Sequence, residues 1–142
     1  MYLLDTNVIS ELRRAHTGRA DTHVLAWANS VLPAQLHVSA ITLLELQLGV
    51  HLIERRDPAQ GALLSDWLTR QVLPAFKGRV LPVDTAVALR CAGLHVPNPC
   101  PERDALIAAT ALVHGMTVVS RNVADFVRTG VRLLNPWQES SS

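Results

Sequence analysis

Short apolar runs alternate along the chain with longer segments in which apolar residues recur every three or four positions. The runs predict strands at about 2–4, 36–39, 79–82, 116–120 and 131–133. The periodic segments predict helices at about 7–13, 21–31, 40–54, 59–73, 84–93 and 102–114, with a short turn from 122. This alternation is typical of a short central parallel sheet covered by helices on both faces, a three-layer α/β/α architecture.

Several predicted helices begin or end at residues with suitable capping chemistry. Asp21, Ser39 and Asp84 are N-cap candidates, and His114-Gly115 is a helix stop. The proline-rich segment 93–101 cannot continue a helix, so we expect an extended connection there. The length of 142 residues favours one domain over residues 1–138, followed by a flexible tail at 139–142.

Four acidic side chains stand beside apolar segments: Asp5, Glu45, Asp104 and Asp125. Asp5 and the segment that carries Asp125 follow strands, while Glu45 and Asp104 lie near helix starts. We expect these acids to converge at the carboxyl edge of the sheet, where ligands bind in open parallel sheets. Clustered carboxylates repel one another, so a divalent cation is the natural compensation. Magnesium fits best because it prefers oxygen ligands and keeps several waters, and the six histidines form no zinc pattern.

Each of these acids also has an ordinary structural explanation. Asp5 and Asp104 could serve only as helix caps or as partners of a helix dipole. Glu45 could be a surface residue at the edge of a stripe that we expect to be buried. That stripe consists of Ile41, Leu44, Leu48 and Leu52.

Five segments occur along the chain in a characteristic order. They are residues 3–11 (LLDTNVISE), 39–45 (SAITLLE), 78–82 (GRVLP), 104–111 (DALIAATA) and 134–137 (LNPW). In this order they resemble the PIN-domain ribonucleases, most closely the VapC-type toxins of the FitB-like branch. The resemblance covers nearly the whole chain.

The resemblance implies a PIN-like fold and an Mg²⁺-dependent endoribonuclease, with Mn²⁺ as a substitute cofactor. It implies Asp5 and Asp104 as the main metal ligands. Glu45 would add a ligand and orient or deprotonate the attacking water, with Thr6 and Ser120 as supporting hydroxyls. The implied partners are an RNA substrate, a cognate antitoxin and a second copy of the chain.

One position departs from the resemblance. Relatives of this branch carry an acid where this chain has Asn122, whose amide can still ligate or bind a water but brings no charge. We expect Asp125, one helical turn on, to replace the missing acid as part of the catalytic set. The alternative is that Asp125 only caps a helix or pairs with Arg121 or Arg128.

Composition narrows the function further. The net charge is +1, which argues against coating nucleic acid by bulk electrostatics. Aromatic residues make up 4%, so we expect no aromatic platform for base stacking.

Cys91 and Cys100 are expected to be reduced thiols. With no apolar segment long enough to span a bilayer and no signal-peptide pattern, we expect a cytoplasmic protein that does not bind membranes.

Three functions compete with that of a nuclease. A phosphoacceptor receiver domain needs a lysine beyond a late strand, and Lys77 precedes the middle strand. A haloacid-dehalogenase-type phosphatase would carry an aspartate at Asn7. A catalytically inactive PIN-like module that binds protein or RNA stays open because of Asn122.

Overall fold

A five-stranded, entirely parallel sheet forms the centre of the computed structural model, which describes residues 1–138. Its strands are β1 (Tyr2–Leu4), β2 (Leu36–Ser39), β3 (Val80–Leu81), β4 (Thr117–Val119) and β5 (Leu133–Leu134), in the order β3-β2-β1-β4-β5. Helices flank the sheet, so the predicted three-layer α/β/α class is confirmed. The tail predicted at 139–142 lies outside the described residues.

The helices fall close to their predicted positions. They are α1 (Thr6–Arg13), α2 (Thr22–Ser30), α3 (Ala40–Arg56), α4 (Pro58–Trp67), α5 (Leu73–Ala75), α6 (Thr85–Leu94), α7 (Glu102–His114) and α8 (Val123–Phe126). The helix predicted at 59–73 is divided, because a π-helical segment, Leu68–Val72, separates α4 from α5. This irregularity lies just before Pro74, which has no N–H to donate to the preceding turn. None of the helices in residues 1–138 is both long and apolar enough to cross a membrane.

The central strand β1 separates two apolar cores. Leu3 and Leu4 are both fully buried, and successive side chains of a strand point to opposite faces. Leu3 packs in the cluster that contains Ile107 and Phe126. Leu4 packs in the cluster that contains Val8. Burial on both faces explains why β1 reads as a continuous apolar run that ends abruptly at Asp5.

The predicted helix ends are confirmed by their hydrogen bonds. Asp21 accepts from the N–H groups of two residues in α2, Ser39 accepts from the N–H of Ile41, and Asp84 accepts from the N–H of Val87. Gly115 ends α7 in the left-handed conformation, with φ 66°. Ser39 thus fixes the start of α3, and Gly115 fixes the end of α7.

The edge strand β5 begins two residues later than predicted. Val131 is buried in the core, which explains the apolar pattern, but pairing with β4 starts at Leu133 opposite Val118. The apolar pattern therefore begins at the approach to the strand, before the strand itself.

The buried side of α3 was predicted wrongly. Leu44, Leu48 and Leu52 are 49%, 37% and 60% exposed, whereas Ile41 is buried as expected. The remaining buried positions of this helix are Thr42, Leu46 and Val50. Because α3 carries apolar residues on almost every side, periodicity alone could not select the buried one.

A close approach of two helices joins α3 to α4. Gly61 is buried, and a Cβ atom at this position would lie 2.5 Å from the Cα atom of Glu54. No other residue type fits there without moving one backbone relative to the other. Gly61 therefore sets the spacing of this helical hairpin.

Candidate active site

An open cleft of about 470 Å³ lies at the carboxyl edge of the sheet, beyond the ends of β1 and β4. Its lining comes from Asp5 and one side of α1, from α3, from the first turn of α7, and from the segments that follow β4 and β5. The lining residues are Asp5, Thr6, Asn7, Ser10, Glu11, Arg14, Glu45, Asp104, Arg121, Asn122 and Trp137. The predicted convergence of Asp5, Glu45 and Asp104 is thus present in the structure.

Asp5 is the most buried acid of the cleft, with 5% of its surface exposed. One carboxylate oxygen accepts from the N–H of Thr6 at 2.8 Å, and the other accepts from the Ser120 hydroxyl at 2.7 Å. Burial raises the pKa of Asp5, the Ser120 and Thr6 hydrogen bonds lower it, and the negative charge of Asp125 raises it. Asp5 therefore caps α1 and lines the cleft at the same time.

Ser120 and Asn7 connect the ends of β1 and β4. The Ser120 hydroxyl accepts from the N–H of Asn122 at 2.9 Å and from the side-chain amide of Asn7 at 3.3 Å. The Asn7 oxygen in turn accepts from the N–H of Arg121 at 3.3 Å. This network holds the turn after β4 against the carboxylate of Asp5.

Glu45 reaches the cleft from the second turn of α3. Its Oε1 accepts from the Thr6 hydroxyl at 2.8 Å, and its Oε2 lies 3.7 Å from a guanidinium nitrogen of Arg103. The Glu45 side chain is 25% exposed. These contacts with α1 and α7 argue against the other explanation of Glu45, that it is an ordinary surface residue.

Asp104 lies in the first turn of α7 but does not cap it. Pro101 is the N-cap residue, and it makes no side-chain capping bond. Burial raises the pKa of Asp104 to about 6, and the charges of Asp5, Asp125 and Glu45 contribute to this rise, whereas Arg103 opposes it. The carboxylate of Asp104 is therefore held among other negative charges and is not consumed by capping the helix terminus.

Asn122 and Asp125 have different relations to the cleft. Asn122 is exposed and lines it, through a backbone held by Ser120. Asp125 is exposed on α8 and is not part of the lining, but its charge raises the pKa of both Asp5 and Asp104. Within residues 1–138 Asp125 forms no ion pair, so the expected alternative of pairing with Arg121 or Arg128 is not observed.

The donor set of the cleft fits a hydrated divalent cation. Its donors are carboxylate, hydroxyl and amide oxygens, and no histidine lines it. Across the described part of the chain, no three acidic, histidine or cysteine side chains are grouped closely enough to hold one ion together. This arrangement suits a metal that takes one or two carboxylates directly and keeps water for its other positions.

Sequence reasoning missed several lining residues. Asn7, Ser10 and Glu11 share one side of α1, and Arg14 continues that side just after the helix, at spacings of three and four residues. That polar stripe was visible in the sequence and could have identified them. Glu11 accepts from the N–H of Asp21 at 2.7 Å, so its carboxylate is partly committed to the fold.

One aromatic side chain lines the cleft, although the sequence analysis assigned no aromatic residue to the site. Trp137, in the turn after β5, lines the cleft together with Arg121. The guanidinium carbon of Arg121 lies 5.4 Å from the centre of the Trp137 ring. The low aromatic content said nothing about where this tryptophan is placed.

Comparison with known proteins identifies the family. The PIN domain family matches residues 2–131. The VapC ribonuclease Y4jK of Sinorhizobium fredii is 38% identical over 97% of this chain and 99% of its own length. Toxin FitB of Neisseria gonorrhoeae is 37% identical over 98% of this chain and 100% of its own. A solved structure of FitAB bound to an IR36 DNA fragment superposes with a TM-score of 0.88, at 36% identity, covering 99% of both chains. The chain therefore belongs to the PIN domain family, among the VapC and FitB toxins.

Proposed function

We propose that this chain is an Mg²⁺-dependent endoribonuclease and the toxin of a toxin–antitoxin pair, acting in the cytoplasm. The observation that carries the proposal is the convergence of Asp5, Glu45 and Asp104 on one cleft from three distant parts of the chain. Similarity to the VapC ribonuclease of Sinorhizobium fredii supports the reaction class. Similarity to the toxin chain of the FitAB complex supports a protein partner.

Asp5 and Asp104 would hold the metal, with Glu45 beside them. When bound, Mg²⁺ supplies charge neutralisation at the scissile phosphate and makes a water more acidic. Glu45 accepts the proton of the attacking water, and Thr6 keeps the Glu45 carboxylate directed into the cleft. Water adds to phosphorus, the bond to the leaving ribose oxygen breaks, and that oxygen takes up a proton.

Single-stranded or looped RNA is the substrate that the cleft suits best. The cleft is lined both by acids and by two arginines, Arg14 and Arg121. An unpaired strand can place one phosphate among the acids and its neighbours beside the arginines. A rigid duplex cannot bend its backbone into such a cleft as readily.

RNA cleavage by purified protein tests the proposal directly. We expect cleavage of single-stranded RNA with Mg²⁺ or Mn²⁺, and none in excess chelator. Asp5→Asn and Asp104→Asn should each reduce the rate by about 100-fold or more, because the metal and the nucleophile lose their anchor. Asp66→Asn is the matched control, since Asp66 is an exposed acid that pairs with Arg70 away from the cleft.

Two outcomes would contradict this function. Undiminished cleavage in both site variants would mean that another site is responsible. Folded wild-type protein that binds RNA but never cleaves it would favour the inactive binding module, with Asn122 as the lost charge.

The antitoxin would occupy an apolar groove that opens into the cleft. The volume of this second groove is about 190 Å³, and it shares Thr6, Ser10 and Glu45 with the cleft. Its larger apolar lining residues are Leu46, Val50, Ile53, Leu64 and Trp67. A segment that lies in it reaches the acids directly. Trp67→Ala should weaken capture of the protein encoded beside this chain's gene, measured by co-purification. Wild-type capture by folded Trp67→Ala protein would rule this groove out.

A further inference from the structure

Arg121 and Trp137 form a cationic wall of the cleft that the reaction itself does not use. Both residues line the cleft, and the guanidinium lies over the tryptophan ring at 5.4 Å. A guanidinium within about 6 Å of an aromatic face is attracted by the ring. The ring therefore favours one position of an otherwise flexible side chain.

Trp137 is itself fixed. Its backbone N–H donates to the side-chain oxygen of Asn135 at 2.9 Å, and its half-buried ring packs against the core cluster that contains Leu4 and Val119. One side of the indole thus belongs to the core. The ring also carries the Arg121 guanidinium, so it acts as a rigid support rather than as a free stacking surface.

The Arg121 guanidinium has no acidic partner within residues 1–138. Three other arginines do form ion pairs: Arg14 with Glu11 at 3.5 Å, Arg70 with Asp66 at 2.8 Å and Arg103 with Glu45 at 3.7 Å. The backbone of Arg121 is held through its N–H to Asn7. An anchored, unpaired guanidinium presents a planar set of N–H donors that matches the oxygens of a phosphate.

Arg121 reaches the cleft from the turn after β4, and within residues 1–138 no acid of the cleft forms an ion pair with it. Its guanidinium is therefore available to a phosphate other than the one among the acids.

We propose that Arg121, supported by Trp137, binds a phosphate of single-stranded RNA that flanks the scissile bond. Arg121 contacts the substrate, and Trp137 is a positioning residue that acts through it. The proposal rests on the proposed ribonuclease function, which it deepens by assigning how the strand is held. An acidic cleft needs such a contact, because its own charge repels the polyanion that it must admit.

Steady-state kinetics on a short single-stranded RNA test the contact. Arg121→Ala should raise KM about 10-fold and leave kcat within about twofold, because a charge-assisted contact to a non-reacting phosphate is lost. The plot of log(kcat/KM) against log[salt] should become shallower by about 0.7, the slope of one phosphate on a single strand. Arg132→Ala, an exposed arginine outside the cleft lining, should change neither quantity.

Double variants separate positioning from general damage. Trp137→Leu should raise KM in the wild-type background and have no further effect on KM in Arg121→Ala. Trp137→Phe, which keeps an aromatic face, should restore most of the affinity. Additive effects of Trp137→Leu and Arg121→Ala would overturn the positioning role of Trp137.

Binding without cleavage distinguishes failure of this inference from failure of the proposed function. Anisotropy of labelled RNA in EDTA should show weaker binding by Arg121→Ala than by wild type. If the wild type binds RNA more tightly than Arg121→Ala but never cleaves it, the nuclease function is contradicted and the Arg121 contact is supported. Wild type that cleaves, with unchanged KM and salt slope in Arg121→Ala, overturns the contact and keeps the nuclease. If the wild type neither binds nor cleaves the RNA, both the nuclease function and the Arg121 contact are contradicted.

Discussion

The Thr6 hydroxyl donates a 2.8 Å hydrogen bond to Glu45 Oε1 and so ties the start of α1 to α3 across the cleft. Without this bond, the nearest partner of Glu45 is Arg103, at 3.7 Å from the other carboxylate oxygen. We predict that Thr6→Val lowers kcat about 10-fold with little change in KM, because the carboxylate turns towards Arg103.

Thr6→Ser keeps the hydroxyl and should retain nearly the full rate. Both substitutions keep the backbone N–H of residue 6, which donates to the Asp5 carboxylate, so the start of α1 should persist in each variant. A wild-type kcat in folded Thr6→Val would show that Glu45 needs no such support.

Asp104 should make the metal-free protein less stable above pH 6. Its pKa is raised from 3.8 to about 6 by burial and by neighbouring carboxylates, so the folded chain binds more protons than the unfolded chain between these values. Stability therefore falls as pH rises through this window, and the loss is complete above it. Because Asp104 is partly exposed, we discount the effect to about 1 kcal/mol, or about 3 °C.

Thermal melts of Asp104→Asn in EDTA test this sign. The variant should melt above wild type at pH 7.5, and the two should converge below about pH 4, where Asp104 is protonated in both states. Added Mg²⁺ should raise the melting temperature of wild type more than that of the variant. A variant less stable than wild type at pH 7.5 in EDTA would contradict the account of Asp104 as a repelled charge.

Asp125 should contribute charge to metal binding although it does not line the cleft. Its charge raises the pKa of both Asp5 and Asp104, so Asp125→Asn should weaken Mn²⁺ binding by about fivefold, the equivalent of about 1 kcal/mol. Asn122→Asp, which adds a carboxylate at the cleft itself, should tighten it. Calorimetric titration of both variants measures these changes. If folded Asp125→Asn binds the ion as tightly as wild type, Asp125 does not contribute to metal binding, and the contributing acids are Asp5, Glu45 and Asp104.

The exposed leucines of α3 should mark the contact between two copies of the chain. Leu44, Leu48 and Leu52 are spaced by four residues on one side of a single helix, and water contact is unfavourable for such a stripe. We predict a dimer at micromolar concentration and a monomer for Leu48→Glu, measured by light scattering after size-exclusion chromatography. Leu63→Glu changes an exposed leucine of α4 and is the control. A dimer that survives Leu48→Glu would place the contact elsewhere.

The sequence was most informative where local chemistry determines the structure. The strand Tyr2–Leu4 was predicted with its observed ends because its side chains are buried on both faces and Asp5 interrupts the run. The helix Glu102–His114 was also predicted at its observed ends, because Pro101 and Gly115 are unsuited to continuing it. Asp5, Glu45 and Asp104 followed from these elements, since each stands at a strand end or near a helix start.

Features that depend on packing between distant segments were not predictable. The exposed side of α3 is decided by which neighbours cover it, and the helix is apolar nearly all round. Trp137 reaches the cleft only because the chain turns back after β5, and nothing in its local sequence indicates that turn's direction. The role of Asn7 arises from Ser120 and Arg121, which lie more than a hundred residues away in the chain.

The place of β1 at the middle of the sheet has a consequence for synthesis on the ribosome. Asp5 is held by Ser120, 115 residues further along, and β1 pairs with β4 as well as with β2. A nascent chain has no partner for one side of its first strand until β4 has been made and has left the exit tunnel. Truncated products that end before this point lack both the supporting hydroxyl and Trp137. Fragments that end before β4 therefore cannot complete the cleft, and we expect them to be inactive.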